Sequence, residues 1–137
     1  MTKVTLISCV SKKLSKQAKA KDLYISTLFR YSFQYAQSLN SSKIFILSAE
    51  HGLLDLNKRI KPYDKTLKTM PIGEIKKWAE RVIKQLRKKA DLKKDDFIFL
   101  AGENYRRYLI PYITNYRIPL QGLSFGRQLQ FLKRKCK

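Results

Sequence analysis

Side chains suited to acid–base chemistry are concentrated in one stretch of the sequence, IFILSAEHGLLDLNKRIKPYDKTL, which covers residues 44–67. It contains His51, the only histidine of the chain, directly after Glu50, and Asp64 lies near its end. Histidine titrates near neutral pH, and a carboxylate can activate a water molecule. We therefore take Glu50, His51 and Asp64 as catalytic candidates. The alternative for His51 is a purely structural hydrogen bond.

Two further residues in the same stretch, Gly52 and Tyr63, favour a functional loop. Gly52 follows His51, and glycine permits backbone conformations that other residues avoid. Tyr63 lies between Pro62 and Asp64, and its ring could stack on a nucleic-acid base, although a rigid turn alone would also explain these three residues. Gly52 and Tyr63 are thus predicted to contact the substrate.

The segment SCVSKK, residues 8–13, brings nucleophiles and cations together. Lys12 or Lys13 could hold a phosphate as a point charge, or attack a sugar carbon if burial deprotonates it. We take Lys13 as a further catalytic candidate and Ser8, Cys9 and Lys12 as substrate-binding candidates. The alternative for Cys9 is a small core residue, which is the commoner role of a buried cysteine.

Two further clusters complete the candidate binding residues. Asp22 and Tyr24 lie in the segment KDLYIS at the start of a predicted helix, although Asp22 could simply favour the helix N-terminus. Gly102 and Tyr105 lie in the segment AGENYRR, where a helix is predicted to begin. Backbone amides at such a start attract anions.

The elements that must position these clusters alternate between strands and helices. Apolar runs predict strands at residues 4–9, 44–48 and 97–101, and the segment RIPLQG could form a fourth. Helical patterns are predicted for about residues 18–39, for a segment opened by Pro71 with Trp78 in its core stripe, for about residues 103–114 and for residues 125–132.

Such alternation predicts a parallel sheet of three to four strands with right-handed crossovers, covered by helices on both faces. In folds of this kind the functional groups collect beyond the carboxyl ends of the strands. The polar clusters described above follow the three predicted strands. We therefore expect a single domain, residues 1–137, with one polar crevice.

Charge is the strongest compositional signal, because 30 Lys and Arg face 10 Asp and Glu in 137 residues, for a formal net charge of +20. No acid precedes Asp22 and none follows Glu103. This one-sided field favours a polyanionic partner, with nucleic acid preferred over an anionic membrane surface. Lysine-rich composition alone is the simpler alternative. The basic residues expected to contact phosphates are Arg106, Arg107, Arg127 and Arg134.

Several classes of protein are disfavoured by the sequence. It has no Walker loop, no GxGxxG motif and no cluster of metal ligands, so we expect neither a cofactor nor a metal. Cys9 and Cys136 show no metal-binding spacing and no disulfide framework, which indicates a reduced, cytoplasmic protein. No apolar run is long enough to span a bilayer. No obligate protein partner is evident.

Five segments, ISCVSKK, AKAKDLYISTLF, FILSAEHGLLDLNKRIKPYDKTL, AGENYRRYL and PLQGLSFGRQLQFL, together resemble a family of small bacterial and phage proteins of unknown function. The family is similar, more remotely, to the peroxide-stress protein YaaA and to the core of archaeosine synthase. These groups are linked to the uracil-DNA glycosylase-like superfamily. The resemblance implies a three-layer α/β/α sandwich with a small parallel sheet, and processing of nucleic-acid bases.

The chain departs from the uracil-type pattern at the loop after the first strand. Members of that superfamily usually carry a water-activating Asp or Asn there, whereas this loop offers serines and lysines. The water-activating role would then fall to Asp22, Glu50, Asp64 or Glu103, or a lysine would attack directly.

The leading hypothesis is a DNA glycosylase that excises a modified or damaged base. The target nucleotide would be flipped into the crevice, because chemistry at a stacked base is blocked. Tyr63 or Tyr105 would stack on it, Asp64 or Glu50 would polarise water, and His51 would stabilise the leaving base. The alternatives are a non-catalytic DNA-binding protein of stress response or phage origin, and a transferase acting on a nucleoside, a nucleotide or a tRNA base.

Overall fold

A computed structural model describes residues 2–9 and 13–135 of the chain. The strands are β1 Lys3–Ser8, β2 Ala18–Lys19, β3 Lys43–Ser48, β4 Gly52–Asp55, β5 Arg59–Ile60, β6 Asp96–Leu100 and β7 Asn115–Arg117. The centre of the structure is a five-stranded sheet in the order β4-β3-β1-β6-β7. A separate two-stranded sheet pairs β2 with β5 in antiparallel fashion.

The three predicted core strands form the middle of the sheet and run parallel to one another. Leu6 of β1 is in register with Phe45 of β3 on one side and with Phe99 of β6 on the other. The interiors of these strands are buried almost without interruption, as expected for a strand covered on both faces. The prediction that they form one parallel unit is confirmed.

The helices cover this sheet. They are α1 Ala20–Leu23, α2 Thr27–Ser38, α3 Ile72–Arg87, α4 Glu103–Arg106 and α5 Phe125–Lys135. Helix α2 packs against β1 and α5, whereas α3 packs against β4. The right-handed crossover rule places α2 and α3 on opposite faces, because one connects β1 to β3 and the other leads back from β3 to β6. Trp78 lies in the core, as predicted.

The prediction of a purely parallel sheet of three to four strands is wrong. The sheet is mixed and has five strands, because β4 pairs with β3 in antiparallel fashion through a three-residue turn at residues 49–51. Gly52 ends this turn with φ +72°, a conformation that glycine adopts at little cost. A short apolar segment followed by a three-residue connection and a glycine is typical of a β-hairpin.

Two predicted helices are shorter than expected. The first is interrupted at residues 24–26, and α2 begins anew at Thr27 because the Ser26 hydroxyl caps it by accepting a hydrogen bond from the Phe29 amide at 3.1 Å. The predicted helix over 103–114 ends at Arg106 and is followed by a 3-10 turn at Ile110–Tyr112. Pro111 lies in the first turn of this 3-10 helix, where its missing N–H costs no helical hydrogen bond.

Candidate functional site

The main cavity lies where the strand order of the sheet reverses. After β1 the chain crosses to β3 on one side, and after β3 it crosses back to β6 on the other side of β1. Crevices at such a reversal, beyond the carboxyl ends of the strands, are the usual ligand sites of α/β sheets. The cavity here has a volume of about 850 Å³. Its lining includes Ser8, Cys9, Ser26, Phe29, Ser32, Lys65, Thr66, Lys68, Thr69, Gly102, Glu103, Asn104, Tyr105, Arg106, Phe125 and Gln128.

Two strand ends form the back of the cavity. Ser8 is the last residue of β1, and Cys9 follows it. Gly102 follows β6 and is the N-cap of α4, which carries Glu103 and Tyr105. The β1 and β6 clusters therefore meet, as the parallel topology predicts.

A segment over residues 65–69 closes another side of the cavity. Lys65, Thr66, Lys68 and Thr69 line the cavity, whereas Leu67 between them is fully buried and anchors the segment to the core. The Thr66 hydroxyl accepts a hydrogen bond from the Lys68 amide at 3.3 Å. This local structure presents two lysines to the cavity, a role that the sequence did not predict.

A chain of hydroxyl groups lies near the carboxyl end of β3. The Tyr63 hydroxyl is 2.6 Å from the Tyr24 hydroxyl and 2.8 Å from Ser48 Oγ. Burial raises the pKa of Tyr24 to about 12, and burial likewise raises the pKa of Tyr63. Both phenols are therefore neutral hydrogen-bonding groups at physiological pH.

Cys9 lines the cavity, whereas Lys13 lies against the hydroxyl chain. The Cys9 thiol is 3.3 Å from the Tyr105 hydroxyl, and both residues line the cavity. Burial, then the neighbouring Cys9, raises the pKa of Tyr105. Lys13 Nζ lies 4.4 Å from the centre of the Tyr63 ring, and residue 13 forms a backbone bridge with Tyr24. Of the side chains predicted to follow β1, Cys9 thus lies at the cavity and Lys13 lies beside the hydroxyl chain.

The predicted acid–base residues lie apart from the cavity. Glu50 is exposed in the hairpin turn, and its carbonyl oxygen accepts a hydrogen bond from Arg81 at 3.1 Å. Asp64 is exposed, one residue before the cavity-lining Lys65. Neither carboxylate is among the described residues that line the cavity, whereas Glu103, also weighed as a water activator, is.

His51 is half-buried in the hairpin turn and does not line the cavity either. Its ring lies edge-on to Tyr63, with 5.6 Å between ring centres. Its backbone amide donates to Ser48 Oγ at 3.0 Å. Burial lowers the pKa of the imidazole, and the nearby Lys58 and Arg81 act in the same direction against Glu50. His51 therefore makes the contacts that its alternative interpretation, a structural hydrogen-bonding residue, predicts.

The predicted binding residues divide into three groups. Those that line the cavity are Ser8, Cys9, Gly102 and Tyr105. Tyr24 and Tyr63 belong to the adjoining hydroxyl chain. Gly52 shapes the hairpin turn, and Asp22 is exposed in the first turn of α1. Lys12 lies outside the described residues.

The predicted phosphate contacts occupy three places. Arg106 lines the cavity and its guanidinium donates to the Ala101 carbonyl at 2.8 Å. Arg107 lies against the Tyr108 ring. Arg127 and Arg134 line a second cavity of about 620 Å³ beside α5, together with Lys133. Since Phe125 and Gln128 of the same helix line the main cavity, α5 separates the two cavities.

Phe125 is the cavity residue with the clearest functional potential that the sequence did not reveal. It is 62% exposed, the largest exposed fraction among the big apolar side chains of the described residues, and it lines the cavity. In the sequence, the apolar pattern of α5 predicts that Phe125, its first residue, belongs to the core. Only its exposure beside a cavity marks it as a stacking surface.

The comparisons with known proteins identify the family. A model described as Family of unknown function (DUF6884) matches residues 4–134, so the chain belongs to that family. No curated protein and no solved structure matches the chain. None of the helices in the described part is long and apolar enough to cross a membrane. Within residues 2–9 and 13–135, no group of three or more His, Cys, Asp or Glu is arranged to hold a metal ion.

Proposed function

We propose that this member of the family of unknown function is a DNA glycosylase, which binds a flipped nucleotide in the main cavity and hydrolyses the bond to a modified or damaged base. The observation that carries the proposal is the cavity itself. It lies at the strand-order reversal, its volume of about 850 Å³ is in the range of nucleotide-sized ligands, and it combines cations, hydroxyls and aromatic rings.

The electrostatics favour a nucleic-acid partner. The chain carries a formal charge of +20, and Lys65, Lys68 and Arg106 line the cavity. Helix α2 begins at Thr27 beside the cavity, and the positive end of a helix dipole adds to the attraction for phosphate. On the other side of α5, Arg127 and Arg134 would hold neighbouring phosphates of the backbone.

The cavity can hold a base by stacking and hydrogen bonding. Phe125 offers an exposed ring, and Tyr105 offers a buried one that is fixed edge-on against Trp78 with 5.7 Å between ring centres. Ser8, Ser26 and Asn104 supply donors and acceptors for a base edge. Enzymes that act on a base must take it out of the stack, and a cavity of this composition suits the extruded nucleotide.

The reaction proposed here is hydrolysis of the N-glycosidic bond. Glu103, the carboxylate among the described cavity residues, would accept a proton from water as the water oxygen bonds to C1′. The bond from C1′ to the base nitrogen breaks, and its electron pair leaves with the base, which takes up a proton. The negative charge of Glu103 also stabilises the oxocarbenium-like sugar. This role replaces the one first expected of Asp64 and Glu50, and the three-layer, uracil-DNA glycosylase-like fold remains part of the proposal.

The test is release of free base from a panel of oligonucleotides that carry different modified bases. We expect the wild-type protein to release at least one base and to leave an alkali-labile site. Glu103→Gln should slow release about 100-fold or more, because a positioned acid–base group contributes on that order. Glu74→Gln, at an exposed acid in the first turn of α3, should not change it. No release across a broad panel, or full activity of Glu103→Gln, would contradict the proposal.

A second function is favoured by one specific observation. Asp64, Glu50 and His51, the predicted acid–base residues, do not line the cavity. A DNA-binding protein that holds a nucleotide in the cavity without chemistry would need cations and stacking surfaces alone. In the same assay this protein would bind the oligonucleotides and release no base.

A further inference from the structure

We propose that a second surface binds single-stranded nucleic acid by stacking its bases on tyrosine rings. We call this surface the tyrosine edge, and it consists of Tyr108, Tyr112, Tyr116, Lys76, Arg87 and Arg107. The proposal rests on the nucleic-acid binding proposed above, but on residues that lie outside the main cavity.

Cations and tyrosine rings are paired along this edge. Lys76 Nζ lies 5.5 Å from the centre of the Tyr108 ring, and the Arg107 guanidinium lies at the same distance from that ring. The Arg87 guanidinium lies 5.9 Å from the centre of the Tyr112 ring. Lys76 and Arg87 are about three turns apart on α3 and therefore project from the same side of it. The pair of Lys76 with Tyr108 and the pair of Arg87 with Tyr112 thus lie along one side of α3.

Two of the tyrosines have large exposed fractions. Tyr112 is 45% exposed and Tyr116 is 42% exposed. Tyr116 lies in the edge strand β7, and its ring is held edge-on against Phe99 at 6.4 Å. A ring that is fixed on one side and open on the other is a stacking surface that loses little entropy when a base binds.

The chemistry of this edge selects single-stranded nucleic acid as the occupant. Proteins that bind single strands combine a cationic path for the backbone with aromatic rings on which successive bases stack. A duplex keeps its bases stacked on each other and cannot use the rings. The acidic Asp96 near this edge is already paired with Arg117 at 2.9 Å, so it opposes a phosphate less than a free carboxylate would.

The tyrosine edge adjoins the main cavity along the chain. Arg106 lines the cavity, and Arg107 and Tyr108 follow it directly in the chain. A strand that places one nucleotide in the cavity can therefore continue along the edge. The inferred substrate class is DNA that is single-stranded beside the target nucleotide.

The test is equilibrium binding of a fluorescent oligothymidylate without any modified base, measured by anisotropy. Tyr112→Leu and Tyr116→Leu should each weaken binding about fivefold or more, because base–aromatic stacking contributes on that scale. The matched variants Tyr112→Phe and Tyr116→Phe keep the ring and should bind as the wild type does. Arg87→Gln should weaken binding more than Lys84→Gln, which removes the same charge from an exposed position one turn earlier on α3 that does not contact these rings.

The outcomes separate this inference from the proposed function. The proposal for the tyrosine edge is contradicted if the leucine variants bind as tightly as the wild type, or if Arg87→Gln and Lys84→Gln weaken binding equally. In either case the proposal for the main cavity is unaffected. If the wild type binds neither this oligonucleotide nor duplex DNA, both are overturned. Thermal unfolding of each variant shows whether a loss of binding reflects a loss of fold. Rescue by the phenylalanine variants identifies the ring itself as the binding group.

Discussion

His51 is a reactive residue type whose contacts in this structure are those expected of a structural residue. The sequence places the only histidine beside a carboxylate and a glycine, which is the pattern of a catalytic loop. The structure places it in a hairpin turn, where its amide donates to Ser48 and its ring packs against Tyr63. A sequence shows which side chains are neighbours along the chain, but not which of them face a cavity.

The environment of His51 leads to a pH prediction. Burial lowers its pKa below the ordinary 6.5, so the folded state binds a proton less readily than the unfolded state does. The stability that His51 contributes is therefore complete above pH 6.5 and is lost as the pH falls through the lowered value. A proton NMR titration can follow this ring without ambiguity, because the chain has no other histidine.

The expected midpoint of that titration lies below 6.5. Urea unfolding should show the matching loss of unfolding free energy below pH 6.5, and His51→Gln should remove this component. A midpoint at or above 6.5 would show that the ring is paired with Glu50 rather than desolvated, which would contradict the structural role.

At the scale of elements, the hairpin of β3 and β4 depends on one backbone position. Gly52 has φ +72°, and a Cβ added there would lie 2.4 Å from Gln85 Oε1. That oxygen accepts a hydrogen bond from the Leu53 amide at 2.8 Å, and the Gln85 amide group donates to the His51 carbonyl at 3.3 Å. Gln85 thus ties the hairpin to α3 and cannot move aside without losing these bonds.

We therefore expect Gly52→Ala to lower the free energy of unfolding by about 1–3 kcal/mol, through left-handed backbone strain and disturbed hydrogen bonds. Gly73→Ala is the matched control. Gly73 lies in the first turn of α3, and a Cβ added there would meet no atom within 4 Å outside its own stretch of the helix. It should leave stability unchanged or raise it by up to about 1 kcal/mol. Equal effects of the two substitutions in urea unfolding would contradict this account of the hairpin.

The elements that sequence periodicity predicts well are those with long, regular patterns. The stripe of α3 and the apolar runs of β1, β3 and β6 are predicted within one or two residues, because burial imposes their periods directly. Strand β4 was missed because GLLD, residues 52–55, is too short to show a period. The break before α2 was missed because Ser26 acts through a cap, which does not alter the apolar pattern.

At the scale of the whole molecule, the position of the crevice could be predicted together with four lining residues, Ser8, Cys9, Gly102 and Tyr105, but not which strand ends share the crevice. Alternating strands and helices imply a parallel sheet with functional groups beyond the carboxyl ends. Which of the three strand ends meet depends on strand order, and order is decided by packing between distant segments. Because β1 lies between β3 and β6, the ends of β1 and β6 share the cavity, whereas the end of β3 turns into the hairpin.

The central claim is that the cavity between the β1 and β6 ends accepts a flipped base. Gly102 is a suitable position for a substitution that fills that cavity. It lines the cavity, its φ of −64° is accessible to any residue, and there is open space where a Cβ would lie. Gly102→Trp should therefore occupy the cavity without straining the backbone. Gly73→Trp is the control, at an open position on α3.

The direct measurement is the fluorescence of 2-aminopurine at a mismatched position of a DNA duplex, which rises when the base leaves the stack. We predict that the wild type and Gly73→Trp raise this fluorescence, and that Gly102→Trp binds the same duplex with similar affinity but leaves the fluorescence at the level of free DNA. A full increase with Gly102→Trp, or no increase with the wild type, would contradict the claim that the base enters this cavity.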